Sequence, residues 1–240
     1  MLTLDRQNAY RDRLRLLQPG WRPATEVYEA TIRRYLEPGM RLLDAGCGRG
    51  GVVEQLAEHE FRIVGIDPDT GSLREHRLPT QAMPRAAGSV DRLSFASSAF
   101  DLVIAGWVLE HLSRPAAAFA EVARVLRPGG HLIAITPNGW HPMTWLNRVL
   151  GWAMPLQGWL VPRLYGRAQE DAFPVRYRAN SVPRLCQLGA AVGLTPVIIQ
   201  TVGDPTYLAF GDALFTLGQK LEKLLPAGAR VHIVADFVRQ

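Results

Sequence analysis

Short apolar segments alternate with segments of helical pattern along most of this 240-residue chain. "MRLLDAG", "FRIVGIDPD", "AFDLVIAGW" and "HLIAITP" are apolar runs bounded by Gly, Pro or Asp, as is typical of strands buried on both faces. Between them, "PAAAFAEVARVL" carries apolar residues at helical spacing, and "RPGG" ends it. Parallel strands need long crossover connections, which helices usually supply. The alternation therefore predicts an α/β fold with a mostly parallel sheet that helices cover on both faces.

The whole chain, residues 1–240, is predicted to form one domain with two additions to the alternating pattern. An N-terminal helical segment, 1–39, precedes the first strand, and an irregular stretch at about 139–178 interrupts the alternation like an insertion or lid. "QAMPRAAGS" stands where a third strand is due, although its pattern is poor. After the insertion we predict helix "SVPRLCQLGAAVG", strand "TPVIIQTVG", one helix over 207–225 and a last strand, "RVHIVADFV".

Composition excludes several classes of protein. The excess of 27 Lys and Arg over 22 Asp and Glu is small, and the basic residues are scattered rather than arranged in a stripe, which argues against a nucleic-acid interface. The two cysteines, Cys47 and Cys186, make neither a disulfide framework nor a metal-binding pattern, so we predict no metal. With no apolar run of ~20 residues and a charged start, the chain is expected to be cytoplasmic.

The loop after the first strand carries the most specific pattern. Gly46 to Gly51 spell G-x-G-x-x-G, and Asp67 ends the second strand. Glycines let a ligand approach the backbone closely, and a carboxylate at the second strand can accept both hydroxyls of a ribose. This pattern fits NAD and other adenosine ligands alike. Asp44, just before the glycines, distinguishes between these ligands. A carboxylate there would repel a pyrophosphate and attract an ammonium or sulfonium group.

Four motifs in order extend this argument. "LLDAGCGRG", "VGIDPD", "FDLVIAGWVLEHL" and "RVLRPGGHLIAITPN" together resemble the class I S-adenosylmethionine-dependent methyltransferases, from about Arg41 to Asn138. The resemblance implies a doubly wound seven-stranded sheet whose last strand is antiparallel, and S-adenosylmethionine as cofactor. "LEHL" and "LRPGG" look closest to the small-molecule enzymes of quinone biosynthesis. A small or lipid-like methyl acceptor is therefore expected.

The resemblance also implies roles for individual residues. Asp44 would face the methionine amino group, Asp67 would hold the ribose, and Pro68 would border the adenine. Backbone and small side chains would line the methionine part at Gly46, Cys47, Gly48, Ala105 and Gly106. One segment departs from the family: "GSVDRLSF" places Ser89, followed by Val90, where an aspartate usually meets the adenine amino group, and Asp91 is a candidate substitute.

Catalytic residues are less clearly marked. If the acceptor is a hydroxyl, a histidine could remove its proton near neutral pH. His111 in "LEHL" and His141 after the fifth strand are the two candidates, and a structural role for His111 in its turn is the competing interpretation. Cys47, without a second cysteine or a base beside it, reads as a small loop residue rather than a nucleophile.

Residues 140–165 contain four tryptophans, Trp140, Trp145, Trp152 and Trp159. They predict either a lid over an apolar acceptor pocket or a face that contacts a membrane surface, with the former favoured. Two other functions stay open at this point. One is an NAD-dependent oxidoreductase, for which no Tyr and Lys constellation is evident, and the other is a cofactor-binding module without catalysis.

Overall fold

A computed structural model describes residues 3–56, 61–152 and 174–240 of the chain. Seven strands run through this described part: β1 (Arg41–Ala45), β2 (Arg62–Asp67), β3 (Arg85–Ala87), β4 (Phe100–Gly106), β5 (Leu126–Pro137), β6 (Leu194–Val202) and β7 (His232–Arg239). The helices are α1 (Leu4–Leu17), α2 (Ala24–Arg33), α3 (Val52–Leu56), α4 (Thr70–Arg74), α5 (Pro115–Val125), α6 (Pro142–Trp152), α7 (Val182–Ala190) and α8 (Asp212–Leu224). Two short 3₁₀ turns lie at Pro205–Leu208 and Ala227–Ala229.

The strands form one sheet in the order β3-β2-β1-β4-β5-β7-β6. All pairings are parallel except those of β7, which runs antiparallel to both β5 and β6. The predicted seven-stranded α/β fold with an antiparallel last strand is therefore confirmed. The strand order reverses between β1 and β4, and ligands of such sheets bind at the carboxyl ends of the strands at this point.

Two apolar cores lie on opposite faces of the sheet, because successive side chains of a strand point to opposite faces. On one face, α5 packs Phe119 and Val122 against β5, and α7 packs Leu185 beside β6. On the other face, α2 packs Val27 and Ile32 against β5 and β7. Both faces of the sheet are thus covered, which explains why the central strands read as continuous apolar runs.

The N-terminal segment is tied to the C-terminal part of the chain. Arg11 of α1 pairs with buried Asp204, 2.8 Å from Nη2 to Oδ2. Trp21, between α1 and α2, donates from its indole nitrogen to the carbonyl of Gly203 at 2.8 Å. These contacts place α1 and α2 beside the carboxyl end of β6, near the start of β7.

Two predicted elements differ from the structure. The single helix expected over 207–225 is wrong: the chain makes a 3₁₀ turn at Pro205–Leu208, and α8 begins only after Gly211. Asp204 accepts a hydrogen bond from the Thr206 amide at 3.1 Å, which fixes the turn separately from the helix. The stretch around 139–178, expected to be irregular, contains α6, and its residues 153–173 lie outside the described part.

Candidate functional site

The glycine loop is held between β2 and the segment after β4. The amides of Gly46 and Cys47 both donate to the carbonyl of Ile66, at 2.8 and 3.0 Å. Gly46 has φ +86°, and a Cβ atom there would collide with Cγ2 of Val108. A side chain is therefore excluded at Gly46 by both backbone conformation and space.

Asp67, at the end of β2, is hydrogen-bonded to the glycine loop. Its Oδ2 accepts from the Gly48 amide at 3.0 Å, and its Oδ1 accepts from the Asp69 amide at 2.8 Å. A carboxylate oxygen has two lone pairs, so each still has capacity for another donor. Pro68, next in the chain, is exposed at the same edge of the sheet.

Asp44 is a buried acid beside this loop. It is only 7% exposed, and burial, with the charge of Asp67 as a second cause, raises the pKa of its carboxyl group to about 7. A group in this state gains strongly from a nearby positive charge, because the charge would favour the ionised carboxylate. The position therefore suits a cationic ligand.

Tyr28 of α2 reaches the same place, and sequence reasoning missed it. The ring is 4% exposed, and its buried hydroxyl, which lies near the backbone of Ala105, finds no acceptor for its own hydrogen among the described residues. A Cβ atom on Gly106 would lie 3.6 Å from this hydroxyl. Burial first, then the charge of Asp44, raises the pKa of the phenol well above its usual value, so it is a donor. No local motif marks Tyr28, because it precedes the glycine loop on a separate helix.

Two small residues at the end of β4 face the loop from the other side. Ala105 is buried, and the next residue, Gly106, ends the strand. Together with Gly46 and Gly48 they leave an edge of the sheet with little side-chain volume beside Asp44. The structure thus brings together the loop, Asp44, Asp67 and the end of β4, as the sequence predicted.

Cys47 behaves as a packing residue. Its side chain lies over Gly65 of β2, where a Cβ atom would come within 2.8 Å of the sulfur. Burial, followed by the charges of Asp44 and Asp67, raises the pKa of its thiol to about 12. Since the thiolate is the nucleophilic form, the expectation that Cys47 is no nucleophile agrees with this environment.

The segment after β3 forms a small polar group. Ser89 donates its hydroxyl to Oδ1 of Asp91 at 2.7 Å, and Arg114 contacts the other oxygen at 2.9 Å. The hydrogen bond from Ser89, with further help from Arg114, lowers the pKa of Asp91 despite an opposing contribution from burial. Val90 between them is buried in the core. The departure at Ser89 is thus accompanied by a carboxylate that polarises the hydroxyl.

The two histidines predicted as general bases both contact other groups of the protein. His111 has Nδ1 3.1 Å from the carbonyl oxygen of Pro174. His141 is 7% exposed, accepts from the Met143 amide at 3.2 Å through Nδ1, and has Nε2 3.6 Å from Glu222. For His111 the contact agrees with the structural interpretation. His141 lies in a buried group of polar side chains.

Glu110 in the same "LEHL" turn is the more unusual group. It is 4% exposed, and burial raises the pKa of its carboxyl group to about 7. Its Oε2 accepts from Thr136 at 3.0 Å, and Thr136 accepts from Asn180 at 2.6 Å. This chain of hydrogen bonds joins the end of β5 to the turn after β4 and to the segment before α7.

Part of the tryptophan-rich segment lies outside the described residues. Trp159 falls within 153–173, and the side chain of Trp152 is likewise outside the description. Trp140 and Trp145 are 59% and 61% exposed, so these two are not part of a packed core. Within the described ranges, no helix is long and apolar enough to cross a membrane. The same ranges hold no group of three or more His, Cys, Asp or Glu that could bind a metal ion.

Comparisons with known proteins agree with this geometry. Residues 43–134 match a family model described as "Methyltransferase domain". A ubiquinone biosynthesis O-methyltransferase of Alkalilimnicola ehrlichii is 35% identical over 130 residues, covering 52% of this chain and 51% of the relative. One from Aeromonas salmonicida is 25% identical over 206 residues, covering 84% and 77%. The chain spans about half the length of the first of these two relatives.

Comparison with solved structures shows which known proteins share this fold. A geranyl diphosphate C-methyltransferase from Streptomyces coelicolor, solved with Mg²⁺, geranyl diphosphate and S-adenosyl-L-homocysteine, superposes with a TM-score of 0.64. Its sequence is 15% identical, and the match covers 99% of this chain and 86% of that one. At this identity the likeness concerns the fold alone. Residues 43–134 thus match a methyltransferase domain, and the sheet has the fold of solved methyltransferases.

Proposed function

We propose that the chain transfers a methyl group from S-adenosylmethionine to a small acceptor that is apolar over much of its surface. The observation that carries this is the pair of acidic side chains at the switch point, Asp44 and Asp67, on either side of a glycine loop in a methyltransferase domain. The oxidoreductase alternative has no counterpart in the matched family. A module without catalysis has no support beyond the departure at Ser89.

The residues present fit this cofactor. Asp44 is buried in a form that a cation would favour, which suits the amino group of the methionine part. The hydroxyl of Tyr28 is a buried donor without a partner among the described residues, and a carboxylate of the methionine part would satisfy it. The positive φ of Gly46 and its contact with Val108 set the path of the loop beside Asp44. The buried acid and the buried phenol support a ligand that carries a cationic and an anionic group at one end.

The protein's contribution to the reaction is binding and alignment. S-adenosylmethionine would supply the methyl group as an activated sulfonium substituent. Asp67 would accept the ribose hydroxyls on oxygens already oriented by the amides of Gly48 and Asp69. Ala105 and Gly106 would line the methionine part at the end of β4. Holding both reactants in line converts a bimolecular step into an effectively unimolecular one.

Ser89 would replace the usual acid at the adenine. Its hydroxyl donates to Asp91, so its lone pairs point elsewhere and can accept from the adenine amino group. The negative charge of Asp91 strengthens that acceptor. Pro68 and Val90 would border the ring.

The acceptor is proposed to enter at the tryptophan-rich segment that follows β5. Trp140 and Trp145 are largely exposed next to the carboxyl edge of the sheet, and loops over a rigid sheet commonly carry specificity. Exposed indoles bury hydrocarbon well, either from an apolar acceptor or from the surface of a membrane that contains it. We place all of residues 1–240 in one methyltransferase domain with this segment as its lid.

A labelling experiment tests the proposal. The purified chain is incubated with S-adenosylmethionine tritiated in the methyl group and with cell extract separated into organic and aqueous fractions. We expect label in products of the organic fraction, and much less of it with Asp67→Ala at the same S-adenosylmethionine concentration. The double variant Trp140→Ser and Trp145→Ser should keep cofactor binding and raise KM for the acceptor. No transfer in either fraction would overturn the proposed function, and transfer to aqueous acceptors alone would overturn the apolar one.

A further inference from the structure

The helix α8 carries a row of leucines on its outer side. Its inner side is committed to the fold: Phe215 is fully buried, and a Cβ atom on Gly218 would lie 2.9 Å from the carbonyl oxygen of Pro205. The leucine row lies on another side of the helix, with residues 45–80% exposed at intervals of three and four: Leu214, Leu217, Leu221 and Leu224. Residues at this spacing are neighbours on a helix surface, so the row runs along most of α8.

An exposed leucine row of this kind needs an explanation. Single apolar side chains are common on protein surfaces, but a contiguous apolar patch marks a site of interaction. A helix on the surface of a domain normally turns its apolar stripe toward the core. In α8 the core receives Phe215 and Gly218, whereas the described residues leave the leucine row uncovered. The row is therefore a candidate surface for a partner.

The charges beside the leucine row are positive. Lys220 and Lys223 are the only two lysines of the chain, and both are exposed on α8. The acids of the same helix have other partners, since Asp212 lies 2.7 Å from an arginine of α1 and Glu222 lies 3.6 Å from His141. Neither acid neutralises the lysines, so α8 presents leucines together with positive charge.

This helix lies beside the carboxyl edge of the sheet. The 3₁₀ turn before α8 follows the end of β6, and His141, which contacts Glu222, follows the end of β5. Trp140 and Trp145, on either side of His141 in the chain, are both largely exposed. A surface that binds the leucine row would therefore also lie close to the edge where the glycine loop and Asp44 are found.

Two occupants fit an apolar row, and they differ in area and charge. A stable dimer buries about 800 Å² on each partner. Even a large aromatic side chain buries only about 150–250 Å², so a row of four partly exposed leucines falls short of that area. A second copy of the chain would also bring two more lysines to the same seam, where like charges repel. An anionic lipid surface instead receives the leucines among its acyl chains, while the lysine ammonium groups reach the phosphates.

We propose that α8 docks on the surface of an anionic membrane, with the leucine row in the boundary between headgroups and acyl chains and with Lys220 and Lys223 at the phosphates. The helix then lies parallel to the bilayer plane. Docking does not depend on the proposed activity, but it brings the carboxyl edge of the sheet to the lipid in which an apolar acceptor dissolves. One short apolar row and two lysines give reversible binding rather than a permanent anchor.

Flotation of the purified chain with lipid vesicles tests the proposal. We expect binding to vesicles of equal parts phosphatidylglycerol and phosphatidylcholine, much weaker binding to phosphatidylcholine alone, and a decrease with added salt. Lys220→Gln with Lys223→Gln should weaken binding about thirtyfold, because each lysine near such a surface contributes about fivefold. Leu217→Gln with Leu221→Gln should weaken binding about tenfold even at low salt, since the apolar contact is lost while both lysines remain.

Matched controls make similar changes away from α8. Val197→Thr with Ile198→Thr alters two residues of β6 that are 47% and 39% exposed, close to the 46% and 45% of the two leucines substituted. Arg62→Gln with Arg74→Gln removes two exposed positive charges at the β2 end of the sheet. Both control proteins should bind vesicles as the wild type does. Thermal unfolding checks that each variant folds.

The proposal is overturned if the wild type does not bind the mixed vesicles, if it binds phosphatidylcholine vesicles equally well, or if neither pair of α8 substitutions weakens binding. A dimer in solution that Leu217→Gln with Leu221→Gln dissociates, without vesicle binding, would overturn it in favour of a second copy. S-adenosylhomocysteine binding should be unchanged in the α8 variants. Failure of the wild type to bind S-adenosylhomocysteine would count against the proposed function and leave the docking result as it stands.

Discussion

Replacing Asp44 by asparagine removes a buried charge while keeping the shape of the side chain. Burial, with the charge of Asp67, raises the pKa of this carboxyl from 3.8 to about 7. At about 1.4 kcal/mol per pH unit, the ionised carboxylate costs the ligand-free fold about 4 kcal/mol. We expect Asp44→Asn to remove this cost and, with it, the negative charge that a cationic ligand needs.

The sign of the pH dependence follows from linkage. A carboxyl whose pKa is higher in the folded state stabilises the fold below its unfolded pKa, and this contribution is lost as pH rises through the folded pKa. The wild-type and Asp44→Asn proteins should therefore be about equally stable near pH 4. Between pH 4 and 7 the variant should become progressively more stable than the wild type. Above about pH 8 the difference in the free energy of unfolding should be constant.

Thermal unfolding of both proteins at several pH values measures this difference. A domain of this size gains roughly 2–4 °C in Tm per kcal/mol, so the variant should melt roughly 8–16 °C higher than the wild type at pH 8. Asp101→Asn is a control for which the opposite change in stability is expected. Burial would raise the pKa of Asp101, but hydrogen bonds from Arg41 and Arg127 outweigh it and lower the pKa. That variant should be less stable than the wild type at pH 8. A Tm difference for Asp44→Asn that does not change between pH 4 and 8 would refute the reasoning.

Three further substitutions test the rest of the site. Asp67→Ala should weaken S-adenosylhomocysteine binding by about 1.5–3 kcal/mol in calorimetry, since hydrogen bonds to a charged acceptor are lost; unchanged affinity in a folded variant would remove Asp67 from the site. Gly46→Ala should lower Tm and abolish binding because its Cβ would meet Val108, whereas Gly51→Ala, with open space around it, should do neither. Equal Tm values for the two alanine variants would contradict the packing argument. Asp91→Ala should weaken binding of S-adenosylhomocysteine but not of S-inosylhomocysteine, which lacks the adenine amino group; equal losses would show that Ser89 does not meet that group.

The features that could be predicted from sequence are those encoded locally. Short apolar runs closed by Gly, Pro or Asp place β1, β2, β4 and β5, and Asp44 and Asp67 are recognisable because each ends such a run. β3 has only three paired residues, so its strand pattern is weak. Its place beside β2 depends on backbone pairing rather than on its side chains.

The features that could not be predicted depend on distant segments. Tyr28 meets Gly106 only because α2 packs on β5 and β7. His232 meets Tyr207 and Trp107 only because β7 reverses direction within the sheet. The break before α8 was missed because the apolar spacing of 207–225 continues across Gly211, while the side chain that caps the start of the separate 3₁₀ turn is Asp204, outside that range.

Calorimetry of S-adenosylhomocysteine binding at pH 7, in two buffers of different ionisation enthalpy, tests the central claim most directly. The claim is that an adenosine ligand carrying an ammonium group binds beside Asp44, whose carboxyl group has its pKa raised to about 7 by burial. We predict binding of one S-adenosylhomocysteine per chain with net release of protons, less release in Asp44→Asn, and no binding of NAD. Binding of NAD, or binding of S-adenosylhomocysteine without proton release, would contradict the account.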